Sequence, residues 1–118
     1  MRRALVVDDE ELLRSLLEEM LAGAGWAVHV AADAAEALRC ARDDRFDVAL
    51  VDLHLGGPMD GPRLCRALRV AQADVALLLM SGEPDPDAAA RAGAQGFVAK
   101  PFRMSELLGA LERAVGGV

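Results

Sequence analysis

The chain has 118 residues, enough for one domain with one hydrophobic core and too few for two ordinary domains. Apolar residues make up 53% and charged residues 27%, which excludes a wholly disordered chain. Nineteen acidic against thirteen basic residues give a net charge of −6, so we expect no direct binding to nucleic acid or anionic lipid. We interpret residues 1–118 as a single domain.

No segment has the length of a membrane span. The longest clean apolar run, Val75–Met80, is far shorter than the roughly 18–20 residues needed. The N-terminal run Ala4–Val7 stops at two aspartates, which does not suit a signal peptide. We therefore expect a cytoplasmic protein. Cys40 and Cys65 follow no zinc or redox spacing, and we expect reduced thiols, with a disulfide between their two helices left open.

The first half of the chain alternates apolar runs with helical patterns. The run Ala4–Val7 predicts a strand buried on both faces, and apolar residues then recur at helical spacing until Gly23 ends the helix. Ala27–Ala31 is the second predicted strand. A capping box, Asp33-Ala-Ala-Glu36, opens the next helix, and Val48–Val51 is the third strand.

The second half continues the alternation. After a loop rich in glycine over residues 54–61, a helix is predicted for residues 62–70, with its proline in the first turn. Val75–Met80 and Gly96–Ala99 are the last two strands, separated by a short helix rich in alanine. The final helix has a buried stripe formed by Leu107, Leu108, Leu111 and Val115. Five strands alternating with five helices predict an α/β fold with an open parallel sheet and helices on both faces.

Polar residues follow four of the five predicted strands. In an open parallel sheet, ligands bind at the carboxyl ends of the strands. The groups delivered to that edge are Asp8 and Asp9, Asp52, Ser81, and Lys100. Three aspartates held together repel one another unless one takes a proton or a cation joins them. Ligation by carboxylate oxygens alone favours Mg²⁺, or Mn²⁺, over zinc.

The same edge carries groups suited to a phosphoryl ligand. The ammonium of Lys100 and the hydroxyl of Ser81 each suit a phosphate oxygen. The set predicts a phosphoryl-transfer site. Asp52 is the best nucleophile candidate because it stands alone at the end of a central strand, whereas Asp8 and Asp9 form a pair suited to a metal.

Four short segments resemble the motifs of two-component response-regulator receiver domains, in that family's order and near its spacing over the whole chain. They are Val6–Glu10, Val51–Leu53, Met80–Gly82 and Phe97–Phe102. Each segment alone is a weak signal, but the combination is specific. The resemblance implies a CheY-like, flavodoxin-like fold: a doubly wound, three-layer α/β structure with five parallel strands in the order 2-1-3-4-5.

The resemblance also implies roles for the polar residues. Asp52 would be the phosphoacceptor, served by the phosphohistidine of a sensor histidine kinase or of a histidine phosphotransfer protein. Asp9 would bind Mg²⁺ directly and Asp8 through water, with Asp52 and the backbone carbonyl of His54 as further metal ligands.

The resemblance also implies a conformational switch formed by Ser81 and Phe97. Ser81 and Lys100 would hold the phosphoryl oxygens, and Phe97 would turn inward as Ser81 moves. Phosphorylation would change contacts with an output protein that the sequence does not identify. In the family, kinases dock near the first helix and after Lys100, so the expected contacts are Leu12, Leu13, Pro101 and Phe102, although helix burial explains the leucines equally well.

This sequence departs from the family pattern in two places. The loop after Asp52 is one residue longer than usual. Ser81 and Lys100 are only 19 residues apart, about three residues short, or close to one helical turn. We expect the deficit in the fourth helix or in the loop before it, and in the family that helix belongs to the output face.

Other functions fit the sequence less well. A receiver that has lost phosphorylation and acts only as a protein-binding module is the leading alternative. The full set of acids with Ser81 and Lys100 argues against it, and the short fourth helix keeps it open. A Mg²⁺-dependent phosphohydrolase would resemble Asp-x-Asp-x-Thr after the first strand, which Asp8-Asp9-Glu10 does not. A flavin-binding domain would need hydroxyls where this chain has acids. We expect no enzymatic activity beyond self-phosphorylation and hydrolysis of the phosphoryl group.

Overall fold

Strands and helices alternate along the whole described chain. The structure is a computed structural model, and it describes residues 1–83 and 85–116. The strands are β1 (Arg3–Val7), β2 (Ala27–Ala31), β3 (Val48–Asp52), β4 (Ala76–Ser81) and β5 (Gly96–Ala99). The helices are α1 (Glu11–Gly23), α2 (Ala34–Asp43), α3 (Gly61–Ala71), α4 (Pro86–Ala92) and α5 (Met104–Gly116).

The five strands form one parallel sheet in the order β2-β1-β3-β4-β5. The predicted α/β fold and strand order are therefore confirmed. The order reverses between β1 and β3, where Val7 lies opposite Val51. This reversal opens a crevice at the carboxyl ends of β1 and β3, which is where such folds bind ligands.

Helices cover both faces of the sheet, giving three layers with two hydrophobic clusters. One cluster lies between the sheet and α1 with α5, and the other between the sheet and α2, α3 and α4. Strand β3 contributes to both clusters, since Val48 and Leu50 face one layer while Ala49 and Val51 face the other. Its continuous apolar sequence follows from burial on both faces.

Two helices begin at a capping aspartate, and the sequence predicted the first of these caps. The carboxylate of Asp33 accepts the N–H of Glu36 at 2.8 Å, which begins α2. Asp60 caps α3 in the same way, accepting the N–H of Arg63 at 2.9 Å. These caps satisfy N–H groups that have no partner within the first helical turn.

Helix α1 divides its leucines between the core and the surface. Leu17 and Leu21 are fully buried, but Leu12 is 80% exposed and Leu16 is 51% exposed. Burial in the helix layer therefore does not account for Leu12. None of the helices in residues 1–83 and 85–116 has the combined length and apolar character that crossing a membrane requires.

The short connection before β5 leaves the sheet undisturbed. Helix α4 has seven residues and is the shortest of the five helices described. Ser81 still pairs with Ala99, and the N–H of Lys100 donates to the carbonyl of Ser81 at 2.8 Å. The ends of β4 and β5 therefore stay in register despite the short spacing.

Both cysteines are free thiols, as expected from the sequence. Cys65 is fully buried in the cluster beneath α2, α3 and α4, and Cys40 is partly buried against the same cluster. Burial raises the pKa of the Cys65 thiol to about 12. The thiol is therefore neutral at physiological pH and acts as a small apolar side chain.

Candidate functional site

Three aspartates meet at the carboxyl ends of the two central strands. Asp8 and Asp9 follow β1, and Asp52 is the last residue of β3. One carboxylate oxygen from each lies within 4.8 Å of the others. Asp8 is 1% exposed and Asp52 is 7% exposed, while Asp9 lies at the surface. The crevice thus brings three carboxylates together, and two of them are buried.

Lys100 is the cation of this cluster. Its ammonium donates to Asp8 Oδ2 at 3.0 Å and lies 3.5 Å from Asp52 Oδ1. Burial by itself lowers the pKa of Lys100, but the hydrogen bond to Asp8 and the charge of Asp52 more than offset this and raise it overall. Lys100 is therefore charged at neutral pH. It precedes a cis peptide bond to Pro101.

The negative charge of Asp52 is only partly compensated by the groups around it. Burial raises the pKa of Asp52, and the charge of Asp8 raises it further. The charge of Lys100 and the N–H of His54, which donates to Asp52 Oδ1 at 3.3 Å, act in the opposite direction without cancelling the rise. The carboxylate therefore gains from any further positive charge brought into the crevice.

The loop between β1 and α1 is held by hydrogen bonds to Asp8. The N–H of Glu10 donates to Asp8 Oδ1 at 2.9 Å, and the guanidinium of Arg14 donates to the Asp8 backbone carbonyl at 2.8 Å. Asp9 reaches the next loop, where its Oδ2 accepts the N–H of Gly56 at 3.3 Å. These bonds connect the loops after β1 and β3 into one edge of the crevice.

Gly61 allows the loop after Asp52 to close. A Cβ atom at this position would lie 2.3 Å from the Asp52 carbonyl oxygen and 2.8 Å from the Cα of Leu53. Neither distance is compatible with a side chain, so the start of α3 can approach the end of β3 only with glycine here. Sequence reasoning missed this requirement, although a glycine directly before Pro62 offered a signal.

Ser81 lies at the end of β4, beside β3, and is 1% exposed. Its hydroxyl accepts the N–H of Glu83 at 3.0 Å. Met80, the residue before it, is the one that pairs with Asp52. Because the hydroxyl acts as an acceptor toward Glu83, its own proton is available to a second acceptor.

The remaining predicted residues occupy different environments. His54 is exposed and contributes its N–H to Asp52. Phe97 lies on β5, the edge strand, where it is half-buried against the cluster beneath α2, α3 and α4. The roles implied for the His54 carbonyl and for the Phe97 ring stay predictions.

An apolar groove opens beside Lys100. It has a volume of about 360 Å³ and runs between α1 and the start of the β5–α5 connection. Its lining residues are Glu10, Leu13, Leu16, Lys100, Pro101 and Phe102. Three of the four expected surface contacts, Leu13, Pro101 and Phe102, therefore meet in one groove next to the acidic crevice, whereas Leu12 does not line it.

The donor set of the crevice fits Mg²⁺. All three side chains supply carboxylate oxygens, the ligands that this small, hard cation prefers. Three carboxylates against the single ammonium of Lys100 leave two formal negative charges for a divalent cation to balance. Asp9, at the surface, leaves the crevice open to water and ligand on that side.

Comparisons with known proteins agree with this geometry. The family model for the response regulator receiver domain matches residues 4–112. The transcriptional regulatory protein PrrA of Mycobacterium tuberculosis is 37% identical over 109 residues, which cover 90% of this chain and 46% of PrrA. The DNA-binding response regulator MtrA of Mycolicibacterium smegmatis is 36% identical over 110 residues, covering 91% and 47%. The chain thus spans about half the length of these relatives.

Two solved structures extend the likeness to three dimensions. The chemotaxis protein CheY4 of Vibrio cholerae superposes with a TM-score of 0.90 at 33% identity, covering 97% of this chain and 98% of that one. A response regulator of Burkholderia pseudomallei with a phosphorylated aspartic acid and a calcium ion gives 0.88 at 32% identity, covering 99% and 70%. With its fold, its acidic crevice and its matched residues, this chain belongs to the family of response regulator receiver domains.

Proposed function

We propose that this chain accepts a phosphoryl group on Asp52 from the phosphohistidine of a sensor histidine kinase or a histidine phosphotransfer protein. The modification then changes its contacts with an output partner. The supporting observation is the position of the Asp52 carboxylate, within 4.8 Å of Asp8 and Asp9 and 3.5 Å from the ammonium of Lys100. The phosphorylated aspartic acid of the Burkholderia protein supports the same chemistry.

In the transfer, a carboxylate oxygen of Asp52 attacks the phosphorus of the donor. A new O–P bond forms as the N–P bond breaks, and the electron pair of that bond returns to the imidazole nitrogen of the donor. Lys100 is placed to pair with a phosphoryl oxygen because its ammonium already bridges Asp8 and Asp52. The hydroxyl of Ser81 supplies a second donor.

Asp8, Asp9, Asp52 and the backbone carbonyl of His54 would hold Mg²⁺. When bound, the ion would offset the charge that gathers on the carboxylates and on the phosphoryl oxygens. Asp8 contributes from a fixed position, since its two oxygens already accept hydrogen bonds from Glu10 and Lys100. In this proposal the chain acts as a signalling domain. Its reactions are the phosphorylation of Asp52 and the later hydrolysis of that phosphoryl group.

The groove beside Lys100 is the proposed docking surface for the phosphodonor. Leu16 is 51% exposed there, and the groove lies directly against the lysine that would contact the phosphoryl group. An apolar helix face of the donor could fill it while presenting its histidine to Asp52. Exposed apolar side chains next to a reactive site are typical of such contacts.

The proposed response to phosphorylation runs from Ser81 to β5. Ser81 and Ala99 are paired, and Phe97 lies two residues earlier on the same edge strand. A movement of Ser81 toward the phosphoryl group would break its hydrogen bond from Glu83 and let the half-buried Phe97 ring move inward. Phe97 lacks a hydroxyl, so this step would depend on packing alone.

Incubation with phosphoramidate and Mg²⁺, followed by intact mass measurement, tests the proposal. We expect a single phosphoryl adduct that is lost in base and is absent in Asp52→Asn or in the presence of a chelator. Ser105→Ala, an exposed change in α5, is the matched control and should be modified like the wild type. A wild-type chain that stays unmodified would favour the alternative of a protein-binding module without phosphorylation.

A further inference from the structure

The position of Arg14 in α1 is not explained by the stability of that helix. Arg14 is the only basic residue of α1 and lies in its first turn, and the last turn has no basic residue. The helix dipole favours acidic groups at the N-terminus and basic groups at the C-terminus. Glu10, at the N-cap, makes no side-chain cap either. Arg14 therefore lies where the helix alone disfavours it.

Its hydrogen bond gives a reason for this position. The guanidinium of Arg14 donates to the backbone carbonyl of Asp8 at 2.8 Å, a contact to a carbonyl rather than to a carboxylate. That carbonyl belongs to the peptide unit between Asp8 and Asp9. Holding it sets the orientation of the backbone from which both carboxylates project.

Asp9 depends on this backbone more than Asp8 does. Asp8 is buried, its N–H donates to the carbonyl of Ala31 at 3.2 Å, and its carboxylate accepts from two donors. Asp9 is exposed, and the bond to its carboxylate from Gly56 is 3.3 Å long, weaker than the usual 2.9–3.0 Å. The orientation of the Asp8–Asp9 peptide is therefore the main restraint available to Asp9.

We propose that Arg14 is a positioning residue of the acidic crevice, holding the Asp8–Asp9 peptide so that both carboxylates are ready for a divalent cation. The inference rests on the proposed function in that Asp8 and Asp9 bind the metal. Loss of a group that orients metal ligands typically weakens metal affinity on the order of 10–100-fold. Arg14 would act through the Asp8 backbone carbonyl to which it donates, and not as a metal ligand.

Binding of Mn²⁺, followed by the loss of the free-ion EPR signal, tests the inference without a phosphodonor. We expect Arg14→Met to raise the Kd for Mn²⁺ on the order of tenfold. Arg14→Lys, which keeps the charge and a shorter donor, should fall between that variant and the wild type. Arg39→Met, an exposed change in α2 on the opposite face of the sheet, is the control and should bind like the wild type.

The sign of the change separates positioning from charge. A cation near the crevice repels a metal ion, so if Arg14 acted only through its charge, Arg14→Met would bind Mn²⁺ more tightly. Tighter or unchanged binding in Arg14→Met overturns the inference. If Arg14→Met does not fold, as judged by thermal unfolding in chelator, Arg14→Gln takes its place with the same expected loss.

Phosphorylation kinetics add a second readout. With phosphoramidate, Arg14→Met should need more Mg²⁺ for half-maximal rate, while its rate at saturating Mg²⁺ stays within about twofold of the wild type, since a positioning residue acts through metal occupancy. A fall in the saturating rate alone would contradict the inference. A wild type that binds Mn²⁺ but is never phosphorylated would contradict the proposed function. The Mn²⁺ affinities of the wild type and Arg14→Met would then still decide whether Arg14 positions the acidic residues.

Discussion

The ammonium of Lys100 lies 3.0 Å from Asp8 Oδ2, although the two residues are 92 positions apart in the chain. Asp8 is fully buried, so this ion pair compensates a carboxylate that water cannot reach. The same ammonium also faces Asp52, which makes Lys100 the structural counter-charge of the crevice before any ligand arrives.

Removal of this counter-charge should therefore be costly in the metal-free protein. We expect Lys100→Met to lower the free energy of unfolding by roughly 3 kcal/mol, as for other buried ion pairs that lose one partner. Urea unfolding in chelator measures the change. Added Mg²⁺ should recover part of the loss, and equal stability of variant and wild type in chelator would contradict this account.

Unlike Lys100, Asp52 should lower the stability of the metal-free protein when its carboxyl group is ionised. Burial, and then the charge of Asp8, raise its pKa in the folded protein above the value in the unfolded chain. At a pH between the unfolded and folded pKa values, Asp52 holds a proton in the folded protein that it has lost in the unfolded chain. The free energy of unfolding therefore falls as the pH rises from the lower pKa to the higher one, and it stays lower above that range. Asp52→Asn removes this titration.

We therefore expect Asp52→Asn in chelator at pH 7 to melt on the order of a few degrees above the wild type. The difference should shrink as the pH is lowered toward the unfolded value near 4. Thermal unfolding across this pH range measures both effects. A variant that is less stable than the wild type at pH 7 would show that Asp52 is better compensated than its surroundings indicate.

Gly61 should tolerate no side chain. Alanine there would bring Cβ within 2.3 Å of the Asp52 carbonyl, so backbone must move, and we expect a loss of roughly 1–3 kcal/mol. Gly23→Ala is the matched control because no atom lies within 4 Å of the new Cβ. Urea unfolding compares the two, and equal stability of both variants would argue against the close approach of α3 to β3.

The two cysteines should differ in reactivity. Burial raises the pKa of Cys65 to about 12, and the thiol is inaccessible in the core. Cys40 is partly exposed, although burial and then the charge of Glu36 raise its pKa as well. In iodoacetamide at pH 8 we expect Cys40 to be alkylated at least about tenfold faster, since reaction needs an accessible thiolate. Peptide mass spectrometry gives both rates, and guanidinium should remove the difference.

The groove beside Lys100 can be tested apart from the chemistry. Leu16→Asp should slow transfer from an autophosphorylated histidine kinase that serves the wild type, by roughly tenfold or about 1.4 kcal/mol. Modification by phosphoramidate should be unchanged because the small donor needs no docking surface. Val70→Asp, at an apolar side chain 88% exposed on α3, is the control. Equal effects of both variants on kinase transfer would argue against this groove.

The order of the elements and the edge that carries the site are determined by the sequence itself. Apolar runs such as Ala4–Val7 and Val48–Val51 are long enough only for short buried strands, and an aspartate follows each run directly. Parallel strands bring their carboxyl ends to one edge, so the convergence of Asp8, Asp52 and Lys100 followed from local pattern and topology together.

Only the tertiary structure decided the contacts within that edge. Leu12 and Leu17 both belong to the apolar pattern of α1, yet Leu12 is exposed and Leu17 is buried. Only the packing of α1 against the sheet decides which part of the apolar face is covered. The approach of Gly61 to Asp52 and the bond from Arg14 to the Asp8 carbonyl likewise depend on how loops and helices meet across the crevice. Such distances are set by packing between segments, which periodicity along the chain does not encode.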